Sequence, residues 1–318
     1  MLGLNFLEED MGRRKKGDDI SGWLIIDKPR DMGSTEVVNL TRRLFNARKN
    51  GHTGTLDPFA TGVLPIAFGE ATKVIPFVTD GPKEYEFVIQ WGQATSTGDT
   101  EGEIIGKTEK IPSRDEILRV IPDFLGSIKQ VPPAYSAIKI DGRRAYDLVR
   151  QGETVDIPER IVEIYYLELL EELTGNQARF KVGCSKGTYV RTLGQDLALA
   201  LGSLGYLREL RRTKCGNFTL EDTILLENLK NIVHIEDLRK VLLPVITSLR
   251  DIAELAVTEA DAAKLRQGQA ISPRAYQDQN LNESVAFATC NGELTAILRI
   301  EEKRISPERV FNFNNGAE

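Results

Sequence analysis

The chain has 318 residues and 41% hydrophobic content, enough for one large domain and a smaller one, and not the composition of a disordered or fibrous chain. Its net charge of −6 excludes nucleic-acid binding through bulk charge, so any RNA contact must come from local basic clusters. Cys184, Cys215 and Cys290 stand far apart, and only His52 and His234 could join them, so neither a disulfide framework nor a zinc site is expected. No apolar run approaches the roughly 20 residues needed to span a bilayer, and the start MLGLNFLEED carries acids where a signal peptide would be basic. A soluble, cytoplasmic protein is expected.

Residues 1–20, with the basic run Arg13-Arg14-Lys15-Lys16, read as a flexible tail. Trp23 to Ile26 read as a short buried strand, and 35–45 as a helix with Val37, Val38, Leu40, Leu44 and Phe45 on one face. From Glu84 to Trp91, Tyr85, Phe87, Ile89 and Trp91 alternate with their neighbours, the pattern of a half-buried strand with Tyr85 on its inner face. Helices are expected at 115–125, 144–151 and 189–201, the last stopped by Gly202, and strands at 137–140, 161–170 and 178–184. Asp141-Gly142 reads as a turn. With no regular βαβ rhythm, the fold class is α+β, a mostly antiparallel mixed sheet with helices packed on it.

After residue 250 the chain changes character. A helix at 259–266 precedes strands at 285–289, 294–300 and 310–313, with an Asn291-Gly292 hairpin turn between the first two strands. This predicts a small β-rich domain at 251–318, following a catalytic domain at 21–250.

The segment richest in chemistry is Gly51-His52-Thr53-Gly54-Thr55-Leu56-Asp57-Pro58. Gly51 and Gly54 permit a sharp turn, and Pro58 restricts Asp57 to extended backbone, so the carboxylate is presented by a loop rather than spent on a helix cap. An ordinary Asp-Pro turn is the plain alternative. Further on, the Ser185-Lys186-Gly187 turn leads from a strand into a helix, where Tyr189 and Arg191 emerge beside free backbone N–H groups that favour an anion. Basic residues cluster at Arg42, Arg43, Arg48 and Lys49, at Arg143-Arg144, and at Arg208, Arg211, Arg212 and Lys214.

Taken together, these segments resemble the TruB family of tRNA pseudouridine synthases. GHTGTLDP is similar to the family's signature loop, and Trp23 to Pro29 to its first strand and Lys-Pro turn. Lys83 to Phe87 resembles the strand with the active-site tyrosine, and Val131 to Lys139 a second recurrent element. Cys184 to Thr192 resembles the arginine motif, and Leu210 to Thr213, with Gly216 and Phe218, the final one. One departure stands out. Asp31 occupies the place of a glycine usual in the Lys-Pro turn, and Gly33 follows two positions later, so a shifted backbone is expected over 30–34.

The resemblance implies a pseudouridine synthase fold with a PUA-type RNA-binding module at the C-terminus. It implies Asp57 as nucleophile, with Arg191 holding it ionised by lowering its pKa, and Tyr85 stacked on the uracil and helping to move the C5 proton. His52 would contact RNA, and Tyr189 and Leu210 would line the substrate pocket. The implied substrate is the T-loop uridine at tRNA position 55, flipped from the stack. No cofactor or metal, and no guide RNA or protein partner, is implied, and a monomer is expected. Rival functions are a guide-dependent rRNA synthase and a non-catalytic tRNA-folding chaperone.

Overall fold

The computed structural model describes residues 17–133, 139–140, 143–144, 156–232, 234–276, 279 and 283–313. The helix expected at 144–151 and the Asp141-Gly142 turn lie outside those residues, except that Arg143–Arg144 forms a two-residue strand paired with Lys139–Ile140. Within the described residues the architecture is α+β.

A 10-stranded sheet forms the body. Its main path runs Ile224–Leu225, Gly22–Lys28, Thr61–Phe68, Gly205–Cys215, Lys83–Trp91, Gln177–Cys184, Arg160–Leu173 and Gly126–Gln130. Most neighbours are antiparallel; Ile224–Leu225 pairs parallel with Gly22–Lys28, and Gly205–Cys215 pairs parallel with Thr61–Phe68. Both faces of the sheet are covered. Along Gly22–Lys28, Leu24 and Ile26 enter one apolar cluster with Val37 and Leu193 from the helices Ser34–Leu44 and Val190–Ala200. Trp23 and Ile25 enter the other, with Val78, Phe218 and Leu249. Burial on both sides explains why this strand reads as an unbroken apolar run rather than an alternation.

Two long strands were not anticipated. Thr61–Phe68 contains Pro65, which argues against an interior strand because it cannot donate to a ladder. The structure accommodates it through a gap. On one side this strand pairs with Gly205–Cys215 only at Thr61 and Gly62, and with Asn50–His52 only from Ile66 to Phe68. Over the gap the carbonyls find other donors, the Thr53 N–H for Pro65 and the Arg212 guanidinium for Val63. Gly62 is required at the gap's edge. Its φ is +100°, and a Cβ there would lie 2.2 Å from the Arg212 carbonyl oxygen. The second missed strand, Gly205–Cys215, carries charged residues on five of its positions, which hides its apolar face in the sequence.

The small domain is a four-stranded sheet in the order Ala253–Ala256, Val285–Cys290, Glu293–Glu301 and Arg304–Val310, with the helix Glu259–Arg266 against it. The strand expected at 310–313 instead ends at Val310. It begins earlier, at Arg304, because it is an edge strand in which Pro307 is tolerated. This sheet is seated on the back of the large one: Phe287, Leu294, Ile297 and Phe311 share the cluster of Trp23 and Phe218. Lys73 Nζ donates to the Val310 carbonyl at 2.8 Å, and the Asn312 N–H to Glu70 at 2.7 Å.

Other expectations are adjusted by local chemistry. The helix predicted over 115–125 is α-helical at Arg114–Val120 and tightens to a 3₁₀ turn at Ile121–Phe124, where Pro122 cannot continue the ladder. Residues 17–20, expected within a flexible tail, are tied down: Asp18 exchanges backbone hydrogen bonds with Asn46 and Arg48, and Ile20 is buried. No helix among the described residues is long and apolar enough to cross a membrane.

Asp31 adopts φ +62°. The backbone therefore takes the left-handed conformation that the glycine would have supplied, and aspartate is among the few other residues that tolerate it. Asp31→Gly is expected to leave the melting temperature equal or higher, whereas Asp31→Val should cost about 1–2 kcal/mol, read by thermal denaturation.

Candidate active site

Beyond the Asn50–His52 strand, the Asp57 loop has no secondary structure of its own and is held from behind by the turn after Gly22–Lys28. The buried Lys28 Nζ donates to the carbonyls of Pro29 (2.9 Å), Met32 (2.7 Å) and Pro58 (3.1 Å). The Asp31 N–H donates to the Pro58 carbonyl at 2.9 Å, and Ser34 Oγ both donates to the Leu56 carbonyl and accepts from the Leu56 N–H, each at 2.8 Å. Residues 28–34 thus form the loop's back wall. Of the two glycines in the loop, Gly54 has positive φ (154°) while Gly51 is an ordinary strand residue.

The loop forms part of a cavity of about 320 Å³, within the range of small-molecule pockets. Asp57, Tyr85, Tyr189, Arg191 and Leu210 all line it, together with Lys83, Arg160 and Arg212. His52 is not part of the lining. It sits in the Asn50–His52 strand, and its Nδ1 accepts the Gly54 N–H at 3.2 Å, bracing the loop. Burial, and after it the Arg212 cation, hold its pKa below the ordinary 6.5, which suits an acceptor imidazole.

Arg191 is the second residue of Val190–Ala200 and is almost fully buried. Its Nε lies 3.0 Å from Asp57 Oδ2. Its Nη1 lies 3.1 Å from Asp99 Oδ2 and donates to the Thr97 carbonyl at 3.0 Å. Asp99 is a member that the sequence did not reveal: it lies in the connection between two short strands and is 1% exposed. Only a turn-like Gly98-Asp99 pair marked the position. One guanidinium therefore serves two carboxylates. Burial pushes the Asp57 carboxyl above its ordinary 3.8; Arg191 pulls it down, Asp99 adds to the rise, and Lys28 opposes it. The net direction is upward, opposite to the expected lowering, because desolvation outweighs the pairing. The Asp57 side chain remains 33% exposed, so water at the cavity mouth moderates that penalty.

The other walls are set by the sheet and the helix start. Tyr85 pairs across strands with Arg212, and Leu210 with Phe87. Burial raises the Tyr85 phenol to about 12, so it is protonated at neutral pH. Tyr189, the residue before the helix, is pinned through its backbone by Gln130, which accepts its N–H at 3.0 Å and donates to its carbonyl at 3.2 Å. The Arg160 guanidinium stacks 4.5 Å from the Tyr189 ring centre.

The sequence and the fold are shared with known proteins. Residues 42–190 match the TruB family pseudouridylate synthase N-terminal domain, and residues 191–250 match the tRNA pseudouridylate synthase B C-terminal domain. The chain belongs to the TruB family. It is with that family a pseudouridine synthase, an isomerase. It is 45% identical over 307 residues to tRNA pseudouridine synthase B of Caulobacter vibrioides, covering 95% of this chain and 99% of that one. The corresponding protein of Bradyrhizobium diazoefficiens is 46% identical over 304 residues, covering 94% and 88%. Among solved structures, a chain of a Cbf5-Nop10-Gar1 complex superposes with a TM-score of 0.69 at 26% identity, covering 91% of this chain and 84% of that chain.

The upward displacement of Asp57 has a thermodynamic consequence for this TruB chain. A carboxyl whose pKa is higher folded than unfolded contributes stability that is fully present below the unfolded value and is lost as pH rises through the folded value. At pH 7 the charged Asp57 therefore weakens the fold. Asp57→Asn, which leaves Arg191 matched one to one with Asp99, is expected to melt at the same or a higher temperature than the native chain at pH 7. That gain should shrink toward pH 4, and a clear drop in melting temperature at pH 7 would contradict this account of the site.

Proposed function

We propose that this enzyme isomerises the T-loop uridine at tRNA position 55, with Asp57 as the nucleophile and the target base flipped into the cavity. The observation that carries the reading is the convergence of a loop-presented carboxylate, one buried guanidinium and one buried phenol on a single nucleotide-sized cavity. Two relatives of nearly equal length, both tRNA pseudouridine synthase B, support tRNA as the substrate.

The reaction breaks the bond between uracil N1 and ribose C1′ and joins C5 to C1′; a proton leaves C5 and one is gained at N1, so the product is an isomer. Redox change and net hydrolysis are absent from that balance. Asp57 attacks the reacting nucleotide while Arg191 fixes the direction of its free oxygen. Tyr85 stacks on the uracil and helps move the C5 proton, and the Leu210 and Tyr189 walls keep water from the detached base. His52, standing behind the loop, supports the side from which RNA approaches. The cation Arg160, stacked on Tyr189, adds positive charge at the cavity for the phosphates beside the flipped nucleotide.

The test is tritium release from C5-labelled uridine in an unmodified tRNA transcript, without guide RNA. The native chain should release tritium from one site, and Asp57→Asn should lower release by at least about 10⁴-fold while tRNA affinity stays within a few-fold. Full activity in Asp57→Asn removes Asp57 as nucleophile; release only after a guide RNA is supplied moves the chain to the guide-dependent class.

A further inference from the structure

Lys186 lies in the Ser185-Lys186-Gly187 turn, yet the proposed chemistry gives it no role. Among the described residues six charged side chains line the cavity, and five of them, Lys83, Arg160, Lys186, Arg191 and Arg212, are cations against Asp57 alone. Three of the five are buried and committed to the protein. Arg191 serves Asp57 and Asp99, Arg212 donates to the carbonyls of Val63 and Gly54, and Lys83 Nζ donates to those of Val78, Thr79 and Gly81. Arg160 is half-buried, stacked on Tyr189 and hydrogen-bonded to the Gly187 carbonyl. Lys186 differs. Its side chain is 60% exposed, and its Nζ lies 2.9 Å from Oδ1 of Asp80, whose side chain is 56% exposed.

That ion pair spans two lips of the cavity, and both lips are fixed through their backbones. Asp80 ends the short helix Ile75–Asp80; the Lys83 ammonium holds the last carbonyls of that helix, and Thr79 Oγ1 donates to the Thr53 carbonyl of the Asp57 loop at 2.9 Å. Opposite, the Ser185 N–H donates to the Glu163 carbonyl at 2.9 Å, and Thr188 Oγ1 to the Ser185 carbonyl at 3.1 Å. The lips are therefore held in place without help from Lys186 and Asp80. A solvent-exposed pair between flexible side chains contributes little to stability, so opening it costs the fold little. What the pair does is occupy an ammonium at the cavity mouth with an anion. An RNA phosphate arriving at that mouth is a partner of the same kind, a charged oxygen acceptor, and its neutralisation releases condensed counterions.

We propose that Lys186 binds the phosphodiester beside the flipped nucleotide, and that Asp80 holds the same ammonium in the free enzyme and competes with RNA for it. The event is an exchange of ion-pair partners with no covalent change. Asp80 thereby sharpens selectivity. An RNA that sets a phosphate at the mouth replaces the carboxylate, whereas one that does not leaves the pair in place and gains nothing from Lys186. Arg160, bonded to the next residue of the same turn, lies on the Lys186 side, so the arriving phosphate meets two cations there and one carboxylate opposite.

This inference rests on the proposed reaction, and its test separates the two. Affinity for an unmodified tRNA transcript would be measured by filter binding across a range of salt for the native chain, Lys186→Gln, Asp80→Asn and the double variant, beside single-turnover tritium release at saturating tRNA. Lys186→Gln is expected to weaken binding about ten-fold near about 0.1 M salt, and to make the slope of log affinity against log salt shallower by about 0.7–0.9, the share of one phosphate. Its loss of rate at saturation should be smaller than its loss of affinity. Asp80→Asn should tighten binding about three-fold, and that gain should vanish when Lys186 is also replaced. A purely structural pair predicts weaker binding for Asp80→Asn, and general repulsion of RNA by Asp80 predicts the same gain with or without Lys186. Either of those results, or an unchanged salt slope in Lys186→Gln, overturns the proposal. A native chain that releases no tritium but shows this coupling between Lys186 and Asp80 refutes the reaction and keeps the phosphate site; tritium release without the coupling does the opposite.

Discussion

The constraint on which this protein depends is that a carboxylate must be kept available at the end of a loop with no ladder of its own, beside a second carboxylate. Two carboxylates, Asp57 and Asp99, share one guanidinium, and burial opposes the charge of Asp57. Such an arrangement persists only because the surroundings are over-determined. Lys28, the Asp31 N–H and Ser34 hold the Leu56–Pro58 backbone, His52 and Arg212 hold Gly54, and the helix start positions Arg191. Stability is given up locally and recovered from the rest of the sheet.

That recovery is visible in the layering. Both faces of the large sheet are packed, one by helices and the other by the small domain, so its central strands are shielded from water on two sides. Within so well-supported a sheet, the missing pairing over Val63–Pro65 is tolerable, and the space it leaves lets a guanidinium reach from the floor of the cavity to the loop. The departure from regular pairing and the candidate site coincide, as expected where local rules give way to function.

How much of this was legible in the sequence depended on whether local pattern or tertiary context decided each feature. The Gly22–Lys28 strand, the Val190–Ala200 helix and the Asn291-Gly292 hairpin carry their signals in neighbouring residues and were read within a residue or two. Thr61–Phe68 was hidden by Pro65, whose acceptability depends on partners distant in sequence. Asp57, Tyr85, Tyr189, Arg191 and Leu210 share one cavity as the motifs suggested. His52 was recognisable as part of the loop but not as a brace behind it. Asp99 escaped because nothing nearby distinguishes a turn aspartate from one that points at an arginine 92 positions away. Arg191 lowers the Asp57 pKa as pairing leads one to expect, but the larger effect of desolvation, which turns the net direction upward, is a property of the finished fold.

The Gly22–Lys28 strand joins two places that a linear map would treat separately. Near its start, Trp23 belongs to the apolar cluster shared with Phe287 and Phe311 of the small domain; at its end, Lys28 grips the carbonyl behind Asp57. At about 3.3 Å per residue the interval is roughly 17 Å of extended backbone, paired along its whole length with Thr61–Phe68. It behaves as a gauge rod. The seat of the small sheet and the back of the Asp57 loop are thereby held a fixed length apart, and a shift at one end of the strand is passed to the other.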